Sequence, residues 1–162
     1  MIDRLIHYIK LLVLFTLIWV GLWFFNNYGC RRVDGREMEP ALPAEKMVTI
    51  DPNVRNTDQL GRDDFIAYSF VIGSSGSKNI IGRVIGLPGD RVRIENGDVY
   101  LNGEKLAASY VSEKGKGQEN YAEIIVPRDT VFVLCDNRMN AKLMDSRALG
   151  PIGTWAIAGK LR

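Results

Sequence analysis

One stretch limits this chain more than any other. From residue 11 to residue 25 it reads Leu11-Leu12-Val13-Leu14-Phe15-Thr16-Leu17-Ile18-Trp19-Val20-Gly21-Leu22-Trp23-Phe24-Phe25, and no charge occurs between Lys10 and Arg31. A helix rises ~1.5 Å per residue, so about 20 such residues match a hydrocarbon core about 30 Å thick. The stretch reads as a membrane anchor over residues 11–30, behind a short tail of residues 1–10. Lys10 is placed to snorkel, and Trp19, Trp23 and Tyr28 suit an interface. A cleaved leader is disfavoured, because the flank Asn26-Asn27-Tyr28-Gly29-Cys30 has no Ala-x-Ala-like site and fits a lipoprotein site poorly. Charge leaves the orientation open, with Arg4 and Lys10 on one side and Arg31, Arg32 and Arg36 on the other.

Residues 31–162 suit one compact domain. Strand-like runs alternate there with turn signals. Residues 46–50, 64–71 and 79–85 are rich in branched and aromatic side chains. Residues 91–95 alternate with period two, and Asn96-Gly97 then turns the chain because both residues tolerate positive φ. Residues 99–101 return, Asn102-Gly103 turns again, and residues 104–106 follow. Residues 124–126 and 130–135 flank a Pro127-Arg128-Asp129 turn. The polar tips at residues 73–77 and 112–120 read as loops. There is no long helical period after the anchor, so the expected domain is small and mostly antiparallel β.

Composition removes several chemistries. The formal net charge is +2, without a long basic run, so nothing points to nucleic acid. The single histidine, His7, precedes the apolar stretch. The domain therefore hosts no Ser-His-Asp triad, no Cys-His pair and no histidine-ligated zinc. Hydrolysis there would need a Ser-Lys or carboxylate strategy. Cys30 and Cys135 do not form a disulfide framework, although one bridge between them is conceivable outside the cytoplasm.

Three separated blocks carry the most specific signal. The first is Gly35-Arg36-Glu37-Met38-Glu39-Pro40-Ala41-Leu42. The second is Ile81-Gly82-Arg83-Val84-Ile85-Gly86-Leu87-Pro88-Gly89-Asp90. The third joins Cys135-Asp136-Asn137-Arg138 to Asp145-Ser146-Arg147. In this order, behind one membrane segment, they resemble the type I signal peptidases, peptidase family S26. That family reads roughly Ser-Met-x-Pro-Thr-Leu in the first block and Lys-Arg-Val-Ile-Gly-Leu-Pro-Gly-Asp in the second. The resemblance covers most of residues 31–160 and implies a signal-peptidase-like antiparallel β domain behind one N-terminal transmembrane helix. It also implies an N-terminus in the cytoplasm and a C-terminal domain outside.

The same comparison implies that the chemistry is missing. In the family the Ser is the nucleophile and a buried Lys, neutral through desolvation, is its base. Here the nucleophile position holds Glu37 and the base position Gly82. The position that lends an oxyanion-hole hydroxyl aligns with Gly35. The serine that supports the lysine is replaced by Ala141 or displaced, and six residues separate Arg138 from Asp145. Asp136, Arg138, Asp145 and Arg147 are expected to brace a loop, and closure of the sheet after residue 157 is left open.

The peptide-groove wall carries over as Val33, Leu42 and Ile81, which are equally readable as core. Three residues are candidates for rebuilt chemistry. Lys142 has a reach that would pair it with Glu37, Lys78 lies about 13 Å before Gly82 on a strand, and Cys135 is a candidate thiolate. The plainer readings are two solvated lysines and a small buried residue. Catalytically defective relatives with an acid for the Ser and a Gly for the Lys accompany sortases in Gram-positive pilus assembly, and this chain shows that double replacement. The expectation is a non-cutting membrane protein that binds an exported polypeptide or pilin beside a sortase or an active signal peptidase. The alternative is a divergent active signal peptidase. No cofactor or metal is implied.

Overall fold

The computed structural model describes residues 2–27, 29–33, 35–71, 77–107, 118–139 and 144–162. Helix α1 spans Ile2–Asn27 and so begins ahead of the apolar run. Nothing in the first ten residues breaks a helix, and Arg4 and Lys10 are good helix formers. Every described side chain of α1 is exposed, although residues 2–24 are apolar enough to cross a membrane. A helix apolar around its central turns and exposed along its length suits lipid as its surroundings. Its one central hydroxyl, on Thr16, donates to the Val13 carbonyl at 2.8 Å, which removes the cost of carrying it into hydrocarbon.

The other described elements are mostly β, in two antiparallel sheets. The larger is formed by β1 (Gly29–Arg32), β2 (Met47–Asp51), β3 (Phe65–Val71), β4 (Ser77–Gly86), β9 (Thr130–Leu134), β10 (Ile152–Gly153) and β11 (Ile157–Leu161). Their spatial order is β1-β2-β11-β3-β4-β9-β10. The smaller holds β5 (Arg91–Glu95), β6 (Asp98–Leu101), β7 (Glu104–Lys105) and β8 (Tyr121–Ile125) in the order β7-β6-β5-β8. The meander is therefore as the sequence predicts. Asn96 and Gly97 have φ of 48° and 77°, and Asn102 and Gly103 have 53° and 90°, the left-handed values such turns demand.

Three strands were not legible in the sequence. β1 starts at Gly29, so residues 29 and 30 belong to the sheet rather than to the anchor. β10 is only two residues long. β11 settles the question of closure: it lies inside the sheet, with Leu161 opposite Ile50 and Lys160 opposite Ile66. An Arg162 side chain on Asp51, at 2.6 Å, fastens its end.

Packing gives three contiguous clusters. Val33, Met38, Leu42, Val48, Ile50, Ala67, Cys135 and Leu161 form one beneath β1 and β2. Ile66, Tyr68, Val84, Val131, Val133 and Ile157 belong to a second. Ile85, Val92, Ile94, Val126 and Phe132 belong to a third, which joins the sheets. Asp90 stitches the junction: its carboxylate accepts from the Leu87 N–H at 2.8 Å, from Arg62 at 2.7 Å and from Asn102 at 2.9 Å.

Candidate functional site

Glu37 opens a turn that runs to Leu42 and packs on the sheet. Met38 anchors it, 1 % exposed in the cluster that holds Val33 and Leu42. The Leu42 N–H donates to the Met38 carbonyl at 2.8 Å, and the Asn137 N–H donates to the Glu37 carbonyl at 2.8 Å. The first and third sequence blocks therefore meet at Glu37. Gly82, from the second block, lies in β4 opposite Ile66 and is buried.

Positions 37 and 82 have different surroundings. The half-buried Glu37 side chain folds back over Gly35, and its carboxylate occupies the place where a Cβ on Gly35 would stand. Glycine there makes room for the acid. At Gly82 the corresponding space is taken by the core. A Cβ would overlap Val133 Cγ1, approach Tyr68 Cε1 to 3.2 Å and lie 3.5 Å from the Leu134 carbonyl oxygen. Tyr68 is fully buried, and its hydroxyl donates to the Met144 carbonyl at 2.6 Å. Burial, with Cys135, Asp145 and Glu37 nearby, pushes that hydroxyl far above the ordinary tyrosine range, so it stays a donor.

Cys135 sits between these positions as a free, buried thiol. Its Sγ lies 3.8 Å from the Ile81 carbonyl oxygen. Burial raises its pKa strongly, and Asp145 and Glu37 add to the effect, so the thiolate needed for nucleophilic attack is suppressed. The Cys30–Cys135 bridge is not formed, since Cys135 is free. Ser146 is fully buried, and its hydroxyl accepts from the Val133 N–H at 2.8 Å. Ala141 and Lys142 lie outside the described residues. The Lys78 backbone is on β4, opposite Phe70.

Of the four expected bracing residues, Arg138, Asp145 and Arg147 are linked to one another, and Asp136 pairs with Arg83 instead. Asp136 holds Arg83 through two charge-assisted bonds of 2.6 and 2.8 Å, both side chains being buried. Asp145 caps α2 (Ser146–Leu149), accepting from the Arg147 N–H at 3.1 Å, and also accepts from the Cys135 N–H at 3.2 Å. Arg147 binds Asp145 and Glu119 at 2.9 and 2.7 Å and donates to the Arg138 carbonyl at 3.2 Å. Arg138 faces Glu119 at 3.4 Å. Sequence reasoning named four of these residues but missed Arg83 and Glu119, whose partners lie 53 and at least 19 positions away.

Val33, Leu42 and Ile81 pack in one cluster, largely as core. Val33 and Leu42 are 4 % and 7 % exposed, and Ile81 is partly buried against their cluster. The Val33 backbone is committed inward, donating to the Lys46 carbonyl and accepting from the Glu45 N–H, both at 2.9 Å. Antiparallel alternation then turns the N–H and C=O of Arg32 and Cys30 toward the open side of β1, whose one neighbour among the described residues is β2.

Comparison with known proteins finds relatives of one family. The family model described as signal peptidase, peptidase S26, matches residues 5–162. A signal peptidase I of Bacillus amyloliquefaciens is 32% identical over 136 residues, covering 78% of this chain and 70% of that protein. One from Bacillus licheniformis is 28% identical over 168 residues, covering 97% and 86%. The crystal structure of a signal peptidase I from Enterococcus faecalis superposes with a TM-score of 0.51 at 27% identity, covering 64% of this chain and 97% of that one.

Proposed function

The chain belongs to the signal peptidase family, peptidase S26, and we propose that within it this protein holds exported polypeptides at the membrane without cutting them. The observation that carries the reading is the pair of replacements. A carboxylate, Glu37, stands at the nucleophile position, and a residue with no side chain, Gly82, stands at the base position. Amide hydrolysis needs an attacking group and something to take its proton. Glu37 offers no hydroxyl, and an acyl-carboxylate anhydride is a poor route to peptide cleavage. Loss of both members of such a pair leaves only residual stabilisation of the transition state. Two described residues that could substitute are spent elsewhere, with Cys135 buried as a thiol and Ser146 bonded to the backbone. That weighs against a divergent active peptidase.

Binding by strand addition suits the open side of β1, where backbone groups give affinity and side chains give selectivity. Glu37, half-exposed at the end of that path, favours a lysine, an arginine or an amino terminus on the held segment. The apolar helix makes the protein membrane-anchored. We place its N-terminus in the cytoplasm and its β domain outside, where a pilin or other surface protein would be the client and a sortase or an active signal peptidase the working partner.

The test uses the full chain in detergent with a secretory precursor that retains its signal peptide. The precursor is expected to remain intact, and a photo-crosslinker at the exposed Arg36 position is expected to capture it. Mature product that forms in proportion to this chain, through successive purification steps, would overturn the reading.

A further inference from the structure

We infer that Val133 and Tyr68 have taken over the volume of the missing base, and that this plug fixes the site in its non-cutting form. The inference rests on the reading of Gly82 as the vacated base position. A restored lysine would need room for a Cβ and three further methylenes before its amine. The first carbon alone already overlaps Val133 Cγ1 and crowds Tyr68 Cε1 at 3.2 Å.

Neither neighbour is free to yield. Val133 is 0 % exposed and lies in the middle of β9, paired with Val84 of β4. Its branched side chain has few rotamers available. Its N–H is held by the Ser146 hydroxyl at 2.8 Å, so backbone movement would break a buried bond. Tyr68 is also 0 % exposed, and its ring is pinned at the far end by the 2.6 Å bond to the Met144 carbonyl. Tyr68 is opposite Ile80 and Ile66 is opposite Gly82, so the ring reaches diagonally across the β3–β4 pair over the glycine. An aromatic ring over a strand glycine restores the contacts that the absent side chain would have made.

Position 35 behaves differently. What a Cβ there would meet is the flexible end of Glu37, which can swing away. Refilling the oxyanion-side position is therefore easy, and refilling the base position is not. Returning Ser and Lys to positions 37 and 82 would put the lysine into occupied space.

The test combines melting and turnover on the full chain in detergent. Gly82→Ala is expected to lower Tm by about 3–10 °C, the ordinary consequence of overpacking a core in a domain of this size. Val133→Ala is expected to lower Tm less in the Gly82→Ala background than in the wild type, because the two changes relieve one another. Glu37→Ser/Gly82→Lys is expected to leave a secretory precursor uncut, at the background rate. A Gly82→Ala chain that melts within 1 °C of wild type, strictly additive losses, or turnover at least tenfold above background in the double variant would each overturn the plug. Cleavage by the wild-type chain is a separate result: it would sink the non-cutting reading and leave the melting comparison standing.

Discussion

The two sides of this site are built from different materials. On one side the segment from Gly35 to Leu42 is a surface turn, hung from Met38 and one backbone bond to Asn137, with Glu37 half-exposed at its tip. On the other, Gly82 belongs to the floor, where β4 lies between β3 and β9 and Tyr68, Val84 and Val133 are completely buried. Positions 37 and 82 therefore sit in unlike surroundings. At the turn, what faces Gly35 is the end of one side chain, Glu37. In the floor, Val133 and Tyr68 pack against Gly82, as expected where a cavity in a close-packed interior is costly.

The largest test of that contrast is the ion pair beneath the floor. Arg83→Leu leaves the Asp136 carboxylate, 2 % exposed, without its two-pronged partner. A loss of about 3–5 kcal/mol is expected from denaturant titration. A loss under about 1 kcal/mol would show that water reaches this part of the floor.

Cys135 reads the same question chemically, because it lies between the two sides. Alkylation by iodoacetamide at pH 8, with the modified site mapped by mass spectrometry, is expected to be at least ~100-fold slower at Cys135 in the native chain than in the unfolded one, or about 2.7 kcal/mol. Native reaction at the unfolded rate would mean that the floor opens readily.

Asp90 carries the rigid floor into the second sheet and gives a pH handle. Burial alone would raise its pKa, but bonds from Arg62, Asn102 and the Leu87 N–H outweigh it and hold the carboxylate below the usual range. A lowered folded-state pKa means stability present above the unfolded value of about 3.9 and lost as pH falls through the folded value. Asp90→Ala is expected to cost about 1.5–3 kcal/mol at pH 7. The gap to wild type should shrink below about pH 4, and a gap that stays constant to pH 2 would rule out the ionised carboxylate as its source.

The smallest effect belongs to the turn. Gly35→Ala is expected to change stability by less than about 0.5 kcal/mol, since only the end of Glu37 must move. A larger loss would show that the carboxylate is held in place, and the two sides would then differ less than the geometry implies.

Much of the fold was readable in advance because its signals are local. The meander announces itself through period-two alternation and two Asn-Gly turns. The sequence signal for β8 begins three residues late, at 124–126, because the polar side chain of Glu123 masks an edge strand that solvates one face. β1, β10 and β11 carried weaker signals, being short or interrupted by glycine. At the site, Glu37, Gly82 and the Asp145–Arg147 brace stood out by pattern. Arg83 with Asp136, and Glu119 between two arginines, did not, because each partnership joins residues that are remote in the chain.

What the amino-acid order determined by itself is the apolar helix, the hairpin turns, and the absence of a hydroxyl and an amine at positions 37 and 82. Each is a property of one residue or one short window. Only the tertiary structure decided that β11 threads between β2 and β3, that Val33 and Leu42 face inward, and that Val133 and Tyr68 meet over Gly82. The reason is physical: which atoms fill a given space depends on how separate strands pair and pack, and a contact between positions 82 and 133 comes into being only when β4 lies against β9.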